Sequence, residues 1–219
     1  YVVDAFGGGV YGATLYNCIV TANFASGAGG IGAGLADCVA YNCEIYGNTA
    51  YGGGNMGGGV YGGTLYNCLI RNNAVASDAI CGGAAYATLY NCTVTANDDV
   101  GLAYCTVTNT ISYGNGAADV GCTYASSTTN DPSFVGGGNY RLQAGSIAIG
   151  TGTNGAWTAT TRDLDGNKRI WPNGGTVDIG CYEYGSQAEY TVPYLLILGT
   201  DKNAVAGTWG AVHGRRVED

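Results

Sequence analysis

The sequence predicts an all-β chain wound as a parallel β-solenoid, and three observations carry that expectation. The first is a repeat. Gly7-Gly8-Gly9-Val10-Tyr11-Gly12-Ala13-Thr14-Leu15-Tyr16-Asn17-Cys18 returns almost intact from Gly57 to Cys68 and, with changes, from Cys81 to Cys92. Degraded copies run from Gly32 to Cys43 and end at Thr110, so successive copies are offset by 25, 25, 24 and 18 residues. The second is composition. The 219 residues include 40 Gly and 18 Tyr against 3 Pro, with 11% charged side chains. So few charges starve solvent-facing helices of Lys and Glu. Gly off a three-residue period with little Pro excludes collagen, and a hydrophobic fraction of 46% argues against disorder. The third is a period of two. In each copy apolar residues alternate with polar, tyrosyl or small ones, broken at fixed places by turn residues.

Aligning the copies turns the pattern into elements. Three apolar columns read Val10, Leu35, Val60, Ala84, Leu102; then Leu15, Ala40, Leu65, Leu89, Val107; then Val20, Ile45, Ile70, Val94, Ser112. Each is expected to be the inward side of one strand, three short strands making a coil and successive coils pairing at about 4.8 Å. A copy of about 25 residues is too short for a propeller blade. Two asparagine columns run unbroken through five copies: Asn17, Asn42, Asn67, Asn91, Asn109, and Asn23, Asn48, Asn73, Asn97, Asn115. Turns leave backbone groups unpaired, and a buried amide can bond both its own turn and the amide above it. Both columns are therefore expected to be structural ladders, with the Gly clusters supplying positive φ. Cys18, Cys43, Cys68 and Cys92 share the inward parity of Val20 and are expected to stack as small buried hydrophobes, at a spacing that also admits one disulfide. Cys38 and Cys105 share one slot three coils apart, too far to bond; Cys81, Cys122 and Cys181 have no assignable partner.

Charge divides the chain. Residues 1–125 hold seven acids and one base, Arg71, while residues 126–219 hold nine acids and seven bases, for a net charge of −8. The first part cannot form the basic patch that nucleic acid requires. One His and no CxxC pair leave no zinc site, and no apolar run is long enough to span a membrane. The chain opens at Tyr1 without Met or signal peptide, so the natural product is expected to be longer or processed.

The repeat resembles the right-handed parallel β-helix proteins of bacterial surfaces, the pectate-lyase-like superfamily. Asp131-Pro132-Ser133-Phe134, Tyr140-Arg141-Leu142, Ala144-Gly145-Ser146, Asp163-Leu164-Asp165-Gly166-Asn167-Lys168-Arg169 and Val177-Asp178-Ile179-Gly180-Cys181-Tyr182-Glu183-Tyr184 extend the likeness. They are similar to the C-terminal end of secreted choice-of-anchor Q proteins, with Cys181 where that pattern carries Ala. The resemblance implies a right-handed β-helix with about 24–25 residues per coil and an irregular C-terminal cap. Residues 1–125 are read as about five coils, 126–184 as their continuation or cap, and 185–219, which the resemblance does not cover, as a strand-bearing tail. It implies an extracellular or cell-surface location and names no activity.

The site candidates follow from these elements. Lyases of this fold use acidic Ca²⁺ ligands and a basic residue, yet Arg71 stands without an acidic cluster. Glycosidases need two carboxylates set apart across a substrate, whereas Asp98 and Asp99 are adjacent and expected in a loop. No catalytic constellation is found, so the chain is read as a non-enzyme. Asp163, Asp165 and Asn167 have the oxygen-rich, Gly-turned composition of a Ca²⁺ loop but lack the distal Glu of an EF-hand; a structural turn is the favoured reading and a Ca²⁺ site the other, with no further cofactor expected. Tyr16, Tyr41, Tyr66 and Tyr90 form an outward column, either a strand-stabilising stack or a flat platform for sugar rings or a protein partner. Tyr194, Leu195, Leu196, Ile197 and Leu198 read as an apolar strand behind Pro193, either packed across the solenoid or donated to a neighbour. A solenoid has two open ends, Tyr1 to Phe6 carry no polar cap, and a head-to-tail contact that does not close builds a filament. The expectation is an extracellular structural or adhesive protein assembling with itself into fibres. The alternative is a carbohydrate-binding or polysaccharide-degrading module on surface carbohydrate; neither nucleic acid nor a membrane span is expected.

Overall fold

A computed structural model describes residues 8–26, 32–51, 57–76, 81–186 and 195–198 of the chain. Among these there is no helix. Four parallel sheets build a solenoid, and three of them run its length. The first stacks Val10–Tyr11, Leu35–Ala36, Val60–Tyr61, Ala84–Ala85 and Leu102–Ala103. The second stacks Thr14–Tyr16, Val39–Tyr41, Thr64–Tyr66, Thr88–Tyr90, Thr106–Thr108 and Thr123–Ala125. The third contains Cys18–Thr21, Glu44–Tyr46, Leu69–Arg71, Thr93–Thr95 and Ile111–Tyr113, preceded at its N-terminal edge by Leu195–Leu198. The fourth holds only Phe24–Ser26, Thr49–Tyr51 and Ala74–Ala76.

The register carries like onto like. Leu15 pairs with Ala40, Ala40 with Leu65, Leu65 with Leu89, and Leu89 with Val107. All three apolar columns point inward, and Val20, Leu35, Ile45, Val60, Leu65, Ile70, Leu89, Val94 and Leu102 are buried with Cys18, Cys43, Cys68 and Cys92 in one core. Burying such an aliphatic side chain contributes about 1.5–3 kcal/mol. Stacking therefore drives the fold, because no single coil can bury its own apolar edge.

Three expectations change in detail. The longer coils hold four strands where three were expected; the fourth follows the Asn23 column and is absent after Asn97, where the step between copies drops to 18 residues. A sixth coil follows the expected five. Thr123–Ala125 pairs with Thr106–Thr108, while Val120 and Thr128 bridge to Ala103 and Ile111. In that coil Ser126 takes the Asn17 slot, at φ 45°, and Tyr124 takes the Leu slot. The Gly clusters serve less for positive φ than for close approach. Gly57 is left-handed at φ 78°, but Gly59 is not; a Cβ on Gly59 would lie 2.8 Å from both the Asn73 amide nitrogen and the Gly83 carbonyl oxygen.

The two asparagine columns also part company. Asn23, Asn48, Asn73 and Asn97 are buried and form a continuous inner ladder, each Nδ2 donating to the Oδ1 of the next coil's asparagine at 2.8–3.0 Å, ending on Asn115. Asn17, Asn42, Asn67, Asn91 and Asn109 instead sit in the left-handed corner between the second and third sheets, at φ 50–53°. Asn tolerates this conformation better than most residues. Amide-to-amide bonds join this outer column only at Asn67 to Asn42 and Asn109 to Asn91. Its other partners come from the cap. Asn67, Asn91 and Asn109 donate to the carbonyls of Arg162, Asp178 and Thr153.

Residues beyond the sixth coil fold back over the outside of the third sheet. An antiparallel hairpin of Phe134–Gly136 and Asn139–Leu142 leads into irregular chain. Leu142, Ala148 and Ile179 pack on Ile111, and Leu164, Cys181 and Tyr182 pack on Leu69. Between them the Cys181 N–H donates to Thr93 Oγ1 at 3.1 Å. Thus the outward column Ile111, Thr93, Leu69 is buried, and the cap covers a sheet face.

Candidate functional site

The tyrosine column is a stack. Centroids of Tyr16 and Tyr41, Tyr41 and Tyr66, and Tyr66 and Tyr90 lie 4.9, 4.8 and 5.0 Å apart, with planes within 10°. In-register pairing at the coil repeat fixes that spacing. Ring faces are therefore spent on one another, and the column presents edges outward. A sugar ring stacks on an aromatic face, and only the two end members keep one clear of a neighbouring tyrosine: Tyr16, 62% exposed at the N-terminal end, and Tyr90, whose next partner is Thr108. Trp157 from the cap meets the Tyr66 ring edge-on at 5.2 Å. Burial among these neighbours pushes the Tyr66 phenol up.

The tail strand lies at the opposite end of the solenoid from the coil that precedes the cap. Leu195, Leu196, Ile197 and Leu198 pair in parallel with Cys18, Ile19, Val20 and Thr21. Leu195 thus takes a register position in the cysteine column and Ile197 one in the Val20 column. The four residues occupy the place of a coil before the first, beside the otherwise terminal strand of the third sheet. Of the two readings of this strand, packed across the solenoid or donated to a neighbour, the chain shows neither: the strand pairs along the edge of its own third sheet. Tyr194 and Tyr1 to Phe6 lie outside the described residues.

The Asp163 loop is committed to hydrogen bonds within the protein. Asp163 is fully buried; its Oδ1 accepts the N–H groups of Asp165 and Asn167, and its Oδ2 accepts Glu183 N–H and Asn167 Nδ2. Asp165 turns away to a two-pronged pair with Arg141, which also lies over the Tyr182 ring. Four N–H donors on one carboxylate and a guanidinium on the other hold a tight turn together, and they occupy the oxygens that a Ca²⁺ ion would need. Behind the loop Arg169, 1% exposed, donates through Nη2 to the carbonyls of Asp178 and Gly180. Burial pushes the Asp163, Asp178 and Glu183 carboxyls up against the pull of Arg169, Glu183 to about 8. The motif residues of the 163–184 segment thus build a buried polar centre for the cap.

All nine cysteines are free thiols. Eight are buried, and only Cys122 is half-exposed. The sixth coil supplies Cys122 with a neighbour that the sequence did not reveal. Cys105 precedes Thr106 and Cys122 precedes Thr123, which are register partners, and Cys105 N–H points to Cys122 Sγ at 3.3 Å. The Cys105 thiol draws the Cys122 thiol down to about 7. Asp98 and Asp99 are exposed in a turn, and Arg71 lies over the Tyr46 ring and pairs with Glu44 at 3.4 Å. The signal for Glu44 was its place directly beside the third apolar column, diagonal to Arg71.

The described residues include no helix long and apolar enough to cross a membrane. No family model, curated protein or solved structure matches the chain. The surface-protein resemblance therefore rests on the motifs quoted above.

Proposed function

We propose that the protein is a non-enzymatic structural element of a bacterial surface or matrix, assembling with copies of itself through strand exchange at the solenoid end. The observation that carries this reading is the parallel, in-register pairing of Leu195–Leu198 with Cys18–Thr21. A four-residue strand on a long connection is a removable edge cover. The same main-chain bonds form equally well with the third sheet of a second copy, and alternate residues supply register. Each such exchange joins one chain's tail to the next chain's first coil, an open contact that propagates. The right-handed winding, the kinship with pectate-lyase-like and choice-of-anchor Q proteins, and the extracellular placement enter this reading through the resemblance of the repeat and the Asp163–Tyr184 motifs.

The test compares the full chain with a chain ending at Tyr184, by electron microscopy and sedimentation over a range of concentrations. Exchange in trans predicts fibres or concentration-dependent oligomers that vanish on truncation. If the tail serves only its own chain, truncation bares the third sheet's edge and association rises instead; that outcome refutes the proposal. A synthetic peptide spanning Tyr190–Thr200 should terminate fibre growth by occupying the same edge.

A further inference from the structure

The sixth coil sets two thiols side by side at the surface. One column runs through the residues that lead into the strands of the second sheet: Ala13, Cys38, Gly63, Ala87, Cys105 and Cys122. Only at its last two rungs do thiols stand next to each other. Cys105 N–H points to Cys122 Sγ at 3.3 Å, and the two thiol groups lie within hydrogen-bonding reach of each other. Neighbouring rungs of a parallel ladder lie about 4.8 Å apart, inside the Cα separation that a disulfide spans.

Access separates this pair from the other stacked thiols. Cys18, Cys43, Cys68 and Cys92 repeat the same contact, with Cys18 N–H to Cys43 Sγ and Cys68 N–H to Cys92 Sγ both at 3.4 Å. All four are buried in the core, where a reagent reaches them only when the coils open. Cys122 is half-exposed, and it leads into Thr123–Ala125, all three residues of which are exposed. Cys105 is 2% exposed, so a reagent meets Cys122 first. The contact with Cys122, together with burial, keeps the Cys105 thiol protonated. Capping the Cys122 sulfur removes the first of these causes and leaves Cys105 as the group poised to displace the cap.

The sixth coil is also where a tie has most to hold. Beyond the Thr123–Ala125 strand, its ladder contacts with the preceding coil are isolated bridges, Ala117 to Val100, Val120 to Ala103 and Thr128 to Ile111. We infer that Cys122 and Cys105 are a dithiol couple, which a small-molecule disulfide oxidises to a coil-to-coil bond that clasps the last coil onto the fifth. The Cys122 thiolate attacks one sulfur of the reagent RSSR. A Cys122–SR bond forms, the reagent's S–S bond breaks, and RS⁻ leaves. Cys105 then gives its proton to solvent, and its sulfur attacks Cys122 Sγ. The Cys105–Cys122 bond forms and a second RS⁻ leaves. The protein loses two electrons and the reagent gains them. The inference goes beyond the assembly reading and is independent of it, because no residue of the tail takes part.

The experiment treats the folded full chain with dithiobis(nitrobenzoate) and counts the coloured thiolate released. The unaltered chain should release two per chain, keep no reagent and lose the mass of two hydrogens, with peptic peptides linking Cys105 to Cys122. Cys105→Ala puts into this slot the residue that Ala87 supplies in the same column, so the coil accommodates it. That variant should release one thiolate and hold the reagent on Cys122. Cys122→Ser should release none over the same time. Amide hydrogen exchange across Thr123–Ala125 should slow on oxidation and recover with dithiothreitol. A single thiolate from the unaltered chain, a bond between two chains, a bond joining other cysteines, or exchange that ignores oxidation would each overturn the inference. The chain ending at Tyr184 should behave in the same way, so failure of the fibre proposal leaves this result readable.

Discussion

Replacing Asn73 by Ala should cost far more than the same change at Asn23, although both occupy one column. Asn73 is 1% exposed. Its Nδ2 donates to Ile45 O at 2.9 Å and to Asn97 Oδ1 at 3.0 Å. Its Oδ1 accepts Asn48 N–H at 3.1 Å and Asn48 Nδ2 at 2.9 Å. Truncation leaves the Asn48 backbone N–H without an acceptor among the described residues, while Asn48 Nδ2 keeps Val20 O and Tyr46 O. One orphaned buried donor costs about 1–3 kcal/mol, and three further bonds cost about 1 kcal/mol each. The sum is about 5 kcal/mol, a large share of a domain's usual 5–15 kcal/mol. Asn23, at the first rung, loses only the bonds from its Nδ2 to Thr21 O and Asn48 Oδ1, for about 2 kcal/mol. Urea unfolding followed by aromatic fluorescence reads both, with the slope checked for lost cooperativity in a repeat protein. Equal costs at the two positions, or a cost below about 1 kcal/mol at Asn73, would refute the claim that the inner ladder is a chain of mutually dependent bonds.

Three other outcomes are expected. Gly59→Ala brings a methyl against Asn73 Nδ2 and Gly83 O at 2.8 Å and should destabilise by about 1–3 kcal/mol, whereas Gly137→Ala, with open space around it, should show only the strain of its left-handed backbone; denaturation midpoints decide. The Glu183 carboxyl is raised from 4.5 to about 8 in the folded chain. The folded state therefore binds the extra proton between those values, and stability should fall as pH climbs from about 4.5 to about 8. Glu183→Gln should flatten that fall and raise Tm at pH 8 without raising it at pH 4; Asp163 and Asp178 remain to contribute the same sign. Cys122 should react with a disulfide reagent well before the eight buried thiols, with a rate that rises through about pH 7. Mass spectrometry of Cys122→Ser locates the modified residue, and an unchanged rate in that variant would show another thiol to be responsible.

The coils were legible in the sequence because every rung repeats the same demand. Val20, Ile45 and Ile70 must fill the same slot, so an alignment of the chain with itself is nearly a contact map. The sixth coil escaped because its step shrinks to 17 residues and Ser126 and Tyr124 replace Asn and Leu, which removes both column markers at once. The burial of the outer asparagine corner was not legible either. Asn67 has the Arg162 carbonyl above it, a contact across 95 residues that no local spacing records. The Asp163 turn had the composition of a cation loop, but composition counts oxygens and does not show which N–H groups point at them. The tail strand was readable as a strand from Leu195 to Leu198; its place beside Cys18 depends on an edge left open by the first coil, and that edge belongs to the whole solenoid.

The same geometry that makes the coils repetitive also makes them poor places for recognition. Stacked rings hide their faces, laddered amides bond one another, and the thiol column lies in the core, so the groups most abundant in the repeat are consumed by the repeat itself. What remains for contact with other molecules lies where periodicity stops. At the N-terminal end these are the clear face of Tyr16 and the edge beside Cys18–Thr21; at the other they are the sixth coil with Cys122; and outside the third sheet lies the irregular cap. The charge split along the chain is the sequence trace of that division, since a coil interior tolerates no Lys or Arg at intervals of 4.8 Å, whereas an irregular cap can hold Arg169 by its carbonyl bonds and place Arg162 and Lys168 at a surface. Lengthening the solenoid by inserting copies of the second coil should therefore change its length and stability while leaving the cap's contacts with Leu69, Thr93 and Ile111 intact.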